Sequence, residues 1–346
     1  MPFKTTAVPT IRSLAKSLGC GRTTVSDALR GAPGVSAATV LRVRTAATKA
    51  GYLLNPLESA IMSQMRRARG KRWFGVIAAV DFEESERPAS ARVYHARLLA
   101  GAQQRAAELG FDISYFAVGE HGVSVPRLNA ILRSRGIEGV LLLPMWKEPD
   151  FSKLDWSRYA GIYTDYVIKR PALHSVCPDH QRAMVEVLER VIGLGYQRPG
   201  LFIQRHADAR LQHRWMGAFL GNLRLRPEVK HVPPLIAEPL TEARFKRWFR
   251  RHRPDVVLGH LPQAIEWMEQ CGARIPATHG FVSLNLTADF RPCAGRDLKP
   301  GLIGACAAEM LIAQLQRNER GIPQSPLTTL VPGCWVEGPS LRAHRS

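Results

Sequence analysis

Apolar residues recur at Ile11, Leu14, Ala15 and Leu18, the i, i+3, i+4, i+7 spacing of one helix face. Thr10 is placed to cap that helix, Gly19 to end it, and Cys20-Gly21 to supply a tight turn. A second short helix follows, with Val25, Ala28 and Leu29 inward and Arg22, Thr23, Thr24, Ser26 and Asp27 left polar. Gly31-Ala-Pro-Gly34 breaks the chain, and Ser36 caps a third helix predicted to bury Val40, Val43, Ala47 and Ala50 and to close at Gly51. Three short helices with a glycine turn between the first two predict a helix-turn-helix, its second helix in the major groove with its N-terminal side chains on base edges. A generic three-helix bundle has the same core spacing.

Asn55-Pro56 then offers a cap followed by proline at a first helical position, and Leu57, Ile61 and Met65 fall on one stripe. So short a helix is marginal alone in water, which fits an element that forms only when paired on DNA. From Trp73 the rhythm becomes strand, helix, strand, helix. Buried-strand runs at 74–80, 113–118, 140–143, 176–179, 201–203 and 256–258 alternate with helices at 94–109, 126–135, 180–194, around 215–223 and after Pro262. Such alternation predicts a doubly wound parallel α/β body. The expected domains are a head at 1–54, a hinge and linker at 55–72, and a two-lobed core at 73–346. Its first lobe covers about 73–191 with part of 303–331, and its second about 192–302 with 332–346.

Charge decides between a DNA-reading head and a plain bundle. The 346-residue chain carries a net +19, and residues 1–72 hold 13 Lys or Arg against two acids, Asp27 and Glu58, a net +11. The remaining 274 residues contribute only +8. A basic head on a milder body points to a dedicated nucleic-acid module, with its basic and hydroxyl groups suited to phosphates and bases. No apolar run approaches the roughly 20 residues of a membrane span. The first ten residues have no apolar leader core, and the six cysteines form no C-x-x-C pair. A cytoplasmic protein with reduced thiols and no metal or cofactor is expected. The G-x-G-x-x-G, P-loop, G-x-S-x-G and H-E-x-x-H patterns are all missing, so no catalytic residue is assigned.

The run from Thr10 to Gly31, continuing through Val35-Ser36, Arg42-Val43 and Gly51-Tyr52 to Asn55, resembles the head of the lactose-repressor (LacI/GalR) family. The stretch from Arg320 to Gly338 is similar to the ending of that family, and the middle matches mostly in pattern. The resemblance implies an all-α helix-turn-helix head on a two-lobed core like the periplasmic binding proteins. It further implies that Arg22 and Thr23 read bases, that Thr24 and Ser26 approach phosphate, and that Asn55 opens a hinge whose Ile61 wedges a base step in the minor groove. Asp27 stands where many members carry Arg or Lys. An acid accepts from cytosine N4 but repels phosphate. Glu58-Ser59 replaces the usual Ala-Arg, and the Arg66–Arg72 run follows directly.

In the core, the resemblance matches Arg214 of Arg-Trp-Met-Gly217 to an effector-binding arginine and Asp179 to a cleft acid. His260 and Asn285 stand where the family has Asn and Asp. Each has a plainer reading: Arg214 as a surface helix cation, Asp179 as a helix cap, His260 as a strand-end histidine, Asn285 as a turn residue. The implied protein is a homodimeric transcription regulator, a repressor in the family's usual sense. Its partners are a pseudo-palindromic double-stranded DNA operator and a small carbohydrate effector. A solute-binding protein with an added head and a sugar-processing enzyme of similar fold are the alternatives.

Overall fold

Periodic apolar stretches become, in the computed structural model, three N-terminal helices followed by two six-stranded sheets. The structure describes residues 11–30, 34–50, 75–85, 87–119, 121–166, 170–286 and 292–343. Helices α1 (Ile11–Leu18), α2 (Arg22–Arg30) and α3 (Ala37–Lys49) enclose a small core of Leu14, Ala15, Val25, Ala28, Val43 and Ala47. Gly19, at φ 63°, ends α1 in the left-handed region that side chains resist. Ser36 caps α3, its hydroxyl accepting from the Thr39 amide. Ala50, expected in the core, is exposed, because α3 stops at Lys49 and Ala50 sits beyond its last turn as the C-cap. Thr10, Gly31, Gly51 and the hinge with Asn55 and Ile61 lie outside the described residues.

The first sheet contains β1 (Gly75–Glu83), β2 (Phe111–Gly119), β3 (Gly139–Leu142), β4 (Ala160–Tyr163) and β5 (His174–Pro178), with α4 (Ala89–Glu108) and α5 (Val125–Ser134) as crossovers. Helix α6 (His180–Gly193) leads to the second. That sheet holds β6 (Pro199–Gln204), β7 (Leu235–Ala237), β8 (Val256–Gly259), β9 (Gly280–Ser283) and β10 (Ala294–Asp297). Between these strands lie α7 (Arg205–Arg210), α8 (Arg214–Arg224), α9 (Glu242–His252) and α10 (Ala264–Glu269). The chain then returns through α11 (Pro300–Gln316) and β11 (Thr328–Val331) to the first sheet, and β12 (Cys334–Val336) closes the second. The orders are β11-β5-β4-β3-β1-β2, parallel throughout, and β12-β10-β9-β8-β6-β7, parallel except for antiparallel β12.

Two details differ from the sequence expectation. Helix α4 starts at Ala89 rather than Tyr94, after Pro88 has set an extended entry at φ −62° and ψ 147°. The crossing between lobes falls before α6, not near residue 191. The stripe Met184, Val187, Leu188 and Val191 packs with Trp215, Phe219 and Val256 of the second lobe, so burying that stripe carries the whole helix across. In the first lobe α4 and α11 touch backbone to backbone. A Cβ on Gly101 would lie 1.9 Å from the Gly301 carbonyl oxygen, and one on Gly304 would lie 1.9 Å from that of Leu98.

Candidate functional site

Strand order reverses between β1 and β3 in one sheet and between β6 and β8 in the other, and crevices open at the carboxyl ends of strands where this happens. The two reversals face each other across a cavity of about 870 Å³, within the size range of small-molecule sites. Its first-lobe wall comes from Arg87 just ahead of α4, Tyr94 and His95 within α4, the loop after β3 (Met145, Trp146, Lys147) and the loop after β4 (Thr164, Asp165). The second lobe adds Gln204 at the end of β6, His206 and Arg210 from α7, Trp215 from α8, Glu238 after β7, His260 after β8 and Asn285 after β9. His180, the first residue of α6, completes the floor.

Helix α7 straps the two lobes together. The His206 Nε2 atom lies 2.8 Å from the Trp146 carbonyl oxygen, and Arg210 Nε donates to that of Met145 at 2.9 Å. The Arg210 guanidinium also pairs with Asp165, which is 6% exposed, and lies 5.0 Å from the Trp146 ring centre. The His206 ring covers Trp146 as well, at 4.7 Å between centres. One indole from the first lobe is therefore contacted by both an imidazole and a guanidinium from the second.

The floor is an aromatic stack. Trp215 meets His180 edge-on at 5.0 Å and His260 nearly face-on at 5.8 Å. Burial pushes the His180 imidazole down to about 3, helped by the nearby Arg214 and Arg210 cations, and pushes His260 down to about 4. Both rings are therefore neutral near pH 7. His260 Nε2 stands 3.1 Å from the Gln204 side-chain oxygen, which only accepts, so Nε2 carries the hydrogen and Nδ1 presents a lone pair. That Nδ1 and the Nδ1 of His180 are buried without partners. Behind Arg87 and His95, which line the cavity, the buried carboxylate of Asp81 accepts from Arg87 at 2.6 Å and from Tyr115 at 3.1 Å, with His95 Nδ1 at 3.3 Å. Burial alone raises its pKa, but His95 and Arg87 outweigh burial and hold it below the usual 3.8.

Of the four core residues singled out in the sequence, His260 and Asn285 line this cavity. Asp179 and Arg214 are not among its lining residues. Asp179 caps α6, its carboxylate accepting from the Arg182 amide at 3.0 Å. Arg214 lays its guanidinium 4.3 Å over the Tyr166 ring, with Nε unpartnered. The acids that do line the cleft are Glu238, just after β7, and Asp165, one residue beyond the Thr164 that follows β4. Asp165 is the buried one. Its signal was an acid just past the apolar run Ala160–Tyr163, a strand the sequence pattern had passed over. His180 and His206 likewise stand two residues past the ends of β5 and β6 and could have been sought there.

In the head, Arg22 is the first residue of α2 and is exposed, while Thr24 and Asp27 are half-buried on the same helix. Thr23 and Ser26 belong to α2, though their side chains lie outside what is described. No group of three or more His, Cys, Asp or Glu suited to a metal occurs among the described residues. Nor is any described helix long and apolar enough to cross a membrane.

No family model matches the chain. It is 27% identical over 140 residues to the HTH-type transcriptional regulator CelR of Thermobifida fusca, a match spanning 40% of this chain and 38% of that protein. Among solved structures it is similar to a CelR–cellobiose complex at TM-score 0.60 and 19% identity, covering 96% of this chain and 99% of that one. It is also similar to the lac repressor dimer bound to operator and the anti-inducer ONPF, at TM-score 0.57 and 16% identity, covering 97% and 99%. A third is the LacI-family regulator CcpA of Weissella paramesenteroides with bound glucose, at TM-score 0.57 and 12% identity, covering 77% and 98%. These likenesses show the fold, a helical head on a two-lobed α/β core.

Proposed function

We propose that this chain, which has the fold of the LacI-family regulators, is a member of that family: a homodimeric, sequence-specific DNA-binding transcription regulator and not an enzyme. A small carbohydrate in the interlobe cleft would tune its grip on a pseudo-palindromic operator. The observation that carries this reading is the pairing, in one chain, of a strongly basic helix-turn-helix head with a lined cleft between two lobes. Arg22 and Thr23 contact bases from the start of α2, Thr24 and Ser26 approach phosphate, and Asp27 lies a turn further on, where an acid favours cytosine N4. Asn55 and Ile61 form the hinge contact. In the cleft, His260 and Asn285 meet the effector directly. Asp179 and Arg214 act from behind the wall, through the start of α6 and through Tyr166.

Effector and operator then work on one equilibrium. A ligand that favours one lobe arrangement changes how both heads reach DNA, and DNA must change ligand affinity by the same factor. Selection of bound duplexes from a random pool tests the reading. One preferred two-fold site should emerge, and Arg22→Ala should lose preference at one position in each half-site, at a cost of about 1–3 kcal/mol. A pool that stays random after selection would refute it.

A further inference from the structure

We infer that the cleft admits an uncharged polyhydroxylated ligand and excludes the acidic counterpart of the same size, because its inner cations are already committed within the chain. The inference rests on reading the cleft as an effector site. Among the described residues, three Arg or Lys side chains line the cavity: Arg87, Lys147 and Arg210. Arg87 is spent on the buried Asp81, and Arg210 on Asp165 and the Met145 carbonyl. Lys147, exposed beside Trp146, also has a partner. Arg214 lies outside the lining, its guanidinium 4.3 Å from the Tyr166 ring centre.

The charges of Arg210 and Arg87 are already neutralised by Asp165 and Asp81, so a ligand carboxylate or phosphate would bring an excess negative charge beside two buried carboxylates, or have to displace one of them and leave it unpaired. Both are costly in a desolvated site. The floor adds no positive charge, since His180 and His260 are neutral near pH 7. His260 offers a lone pair on Nδ1, and a small rotation of the ring toward the cavity would let a hydroxyl satisfy it, whereas an oxyanion cannot. Glu238, exposed on the cavity wall, adds a carboxylate that accepts from hydroxyls and repels anions. Tyr94 supplies an aromatic face against which a sugar ring can lie.

Isothermal titration of the full-length chain at pH 7.5 tests this with matched pairs. The probes are glucose, glucuronate and glucose 6-phosphate, and cellobiose with its aldonate, cellobionate. The uncharged member of at least one pair should bind ten-fold or more tighter than its acid. Equal or tighter binding of the acids, or no binding by either uncharged sugar, overturns the inference. Asp165→Asn frees Arg210 and should shift the neutral-to-acid affinity ratio toward the acid by about ten-fold. Should that variant fold poorly, Glu238→Gln, at an exposed position, should shift the ratio in the same direction by a few-fold. An unchanged ratio in a folded variant overturns the inference as well. The regulator reading stands or falls separately, on duplex selection without sugar.

Discussion

A methyl group at residue 304 would collide with backbone, since its carbon would sit 1.9 Å from the Leu98 carbonyl oxygen. Gly304→Ala is therefore expected to force α4 and α11 apart and to cost about 1–3 kcal/mol, the usual range for overpacking. Gly217 in α8 meets nothing within 4 Å, so alanine there should be neutral or stabilising by up to about 1 kcal/mol through helix propensity. Thermal melts of the two variants give opposite signs if the helices touch as described, and equal melts argue against it. At this scale the sequence is ambiguous where one residue suits two roles. Asp179 reads equally well as a helix cap and as a cleft acid, and its position ahead of α6 makes it the cap. Asp165 and His180 become visible only when β4 and β5 are seen to end at the same cleft.

Elements of ordinary length were legible from periodicity. The three head helices, α5, α6 and the strands β1, β3, β6 and β8 follow from apolar spacing in the sequence. Helix α7 does not. Six residues give too little pattern to distinguish a helix from a turn, yet α7 carries the bonds that strap the lobes together. Arg210→Ala removes two of those bonds and leaves Asp165 unpaired while 6% exposed. Breaking a buried pair on one side costs about 3–5 kcal/mol, so the melting temperature should fall by several degrees. Small-angle scattering should show a larger radius of gyration as the lobes swing apart. An unchanged radius and melt would mean that α7 does not hold the lobes.

Over the whole molecule the charge is uneven, with +11 of the net +19 in the first 72 residues. Each phosphate neutralised on duplex DNA releases counterions, so affinity for the preferred duplex should fall steeply as salt rises. The expected loss is about 10³-fold or more between 50 and 200 mM if six or more phosphates are met. A flat salt response measured by fluorescence anisotropy would remove the electrostatic role of the head. The sequence by itself determined the helical head, the alternating α/β body and the split in charge. Those depend on local periodicity and composition, which survive in one dimension. Only the tertiary structure decided that the chain changes lobes before α6, that Asp165 lines the cleft while Asp179 caps α6, and that Arg87 and Arg210 are already paired with Asp81 and Asp165. These follow from which strand ends meet and which buried charges lie within reach of each other, and residues as far apart in sequence as Asp165 and Arg210 become neighbours only when two sheets face across a cleft.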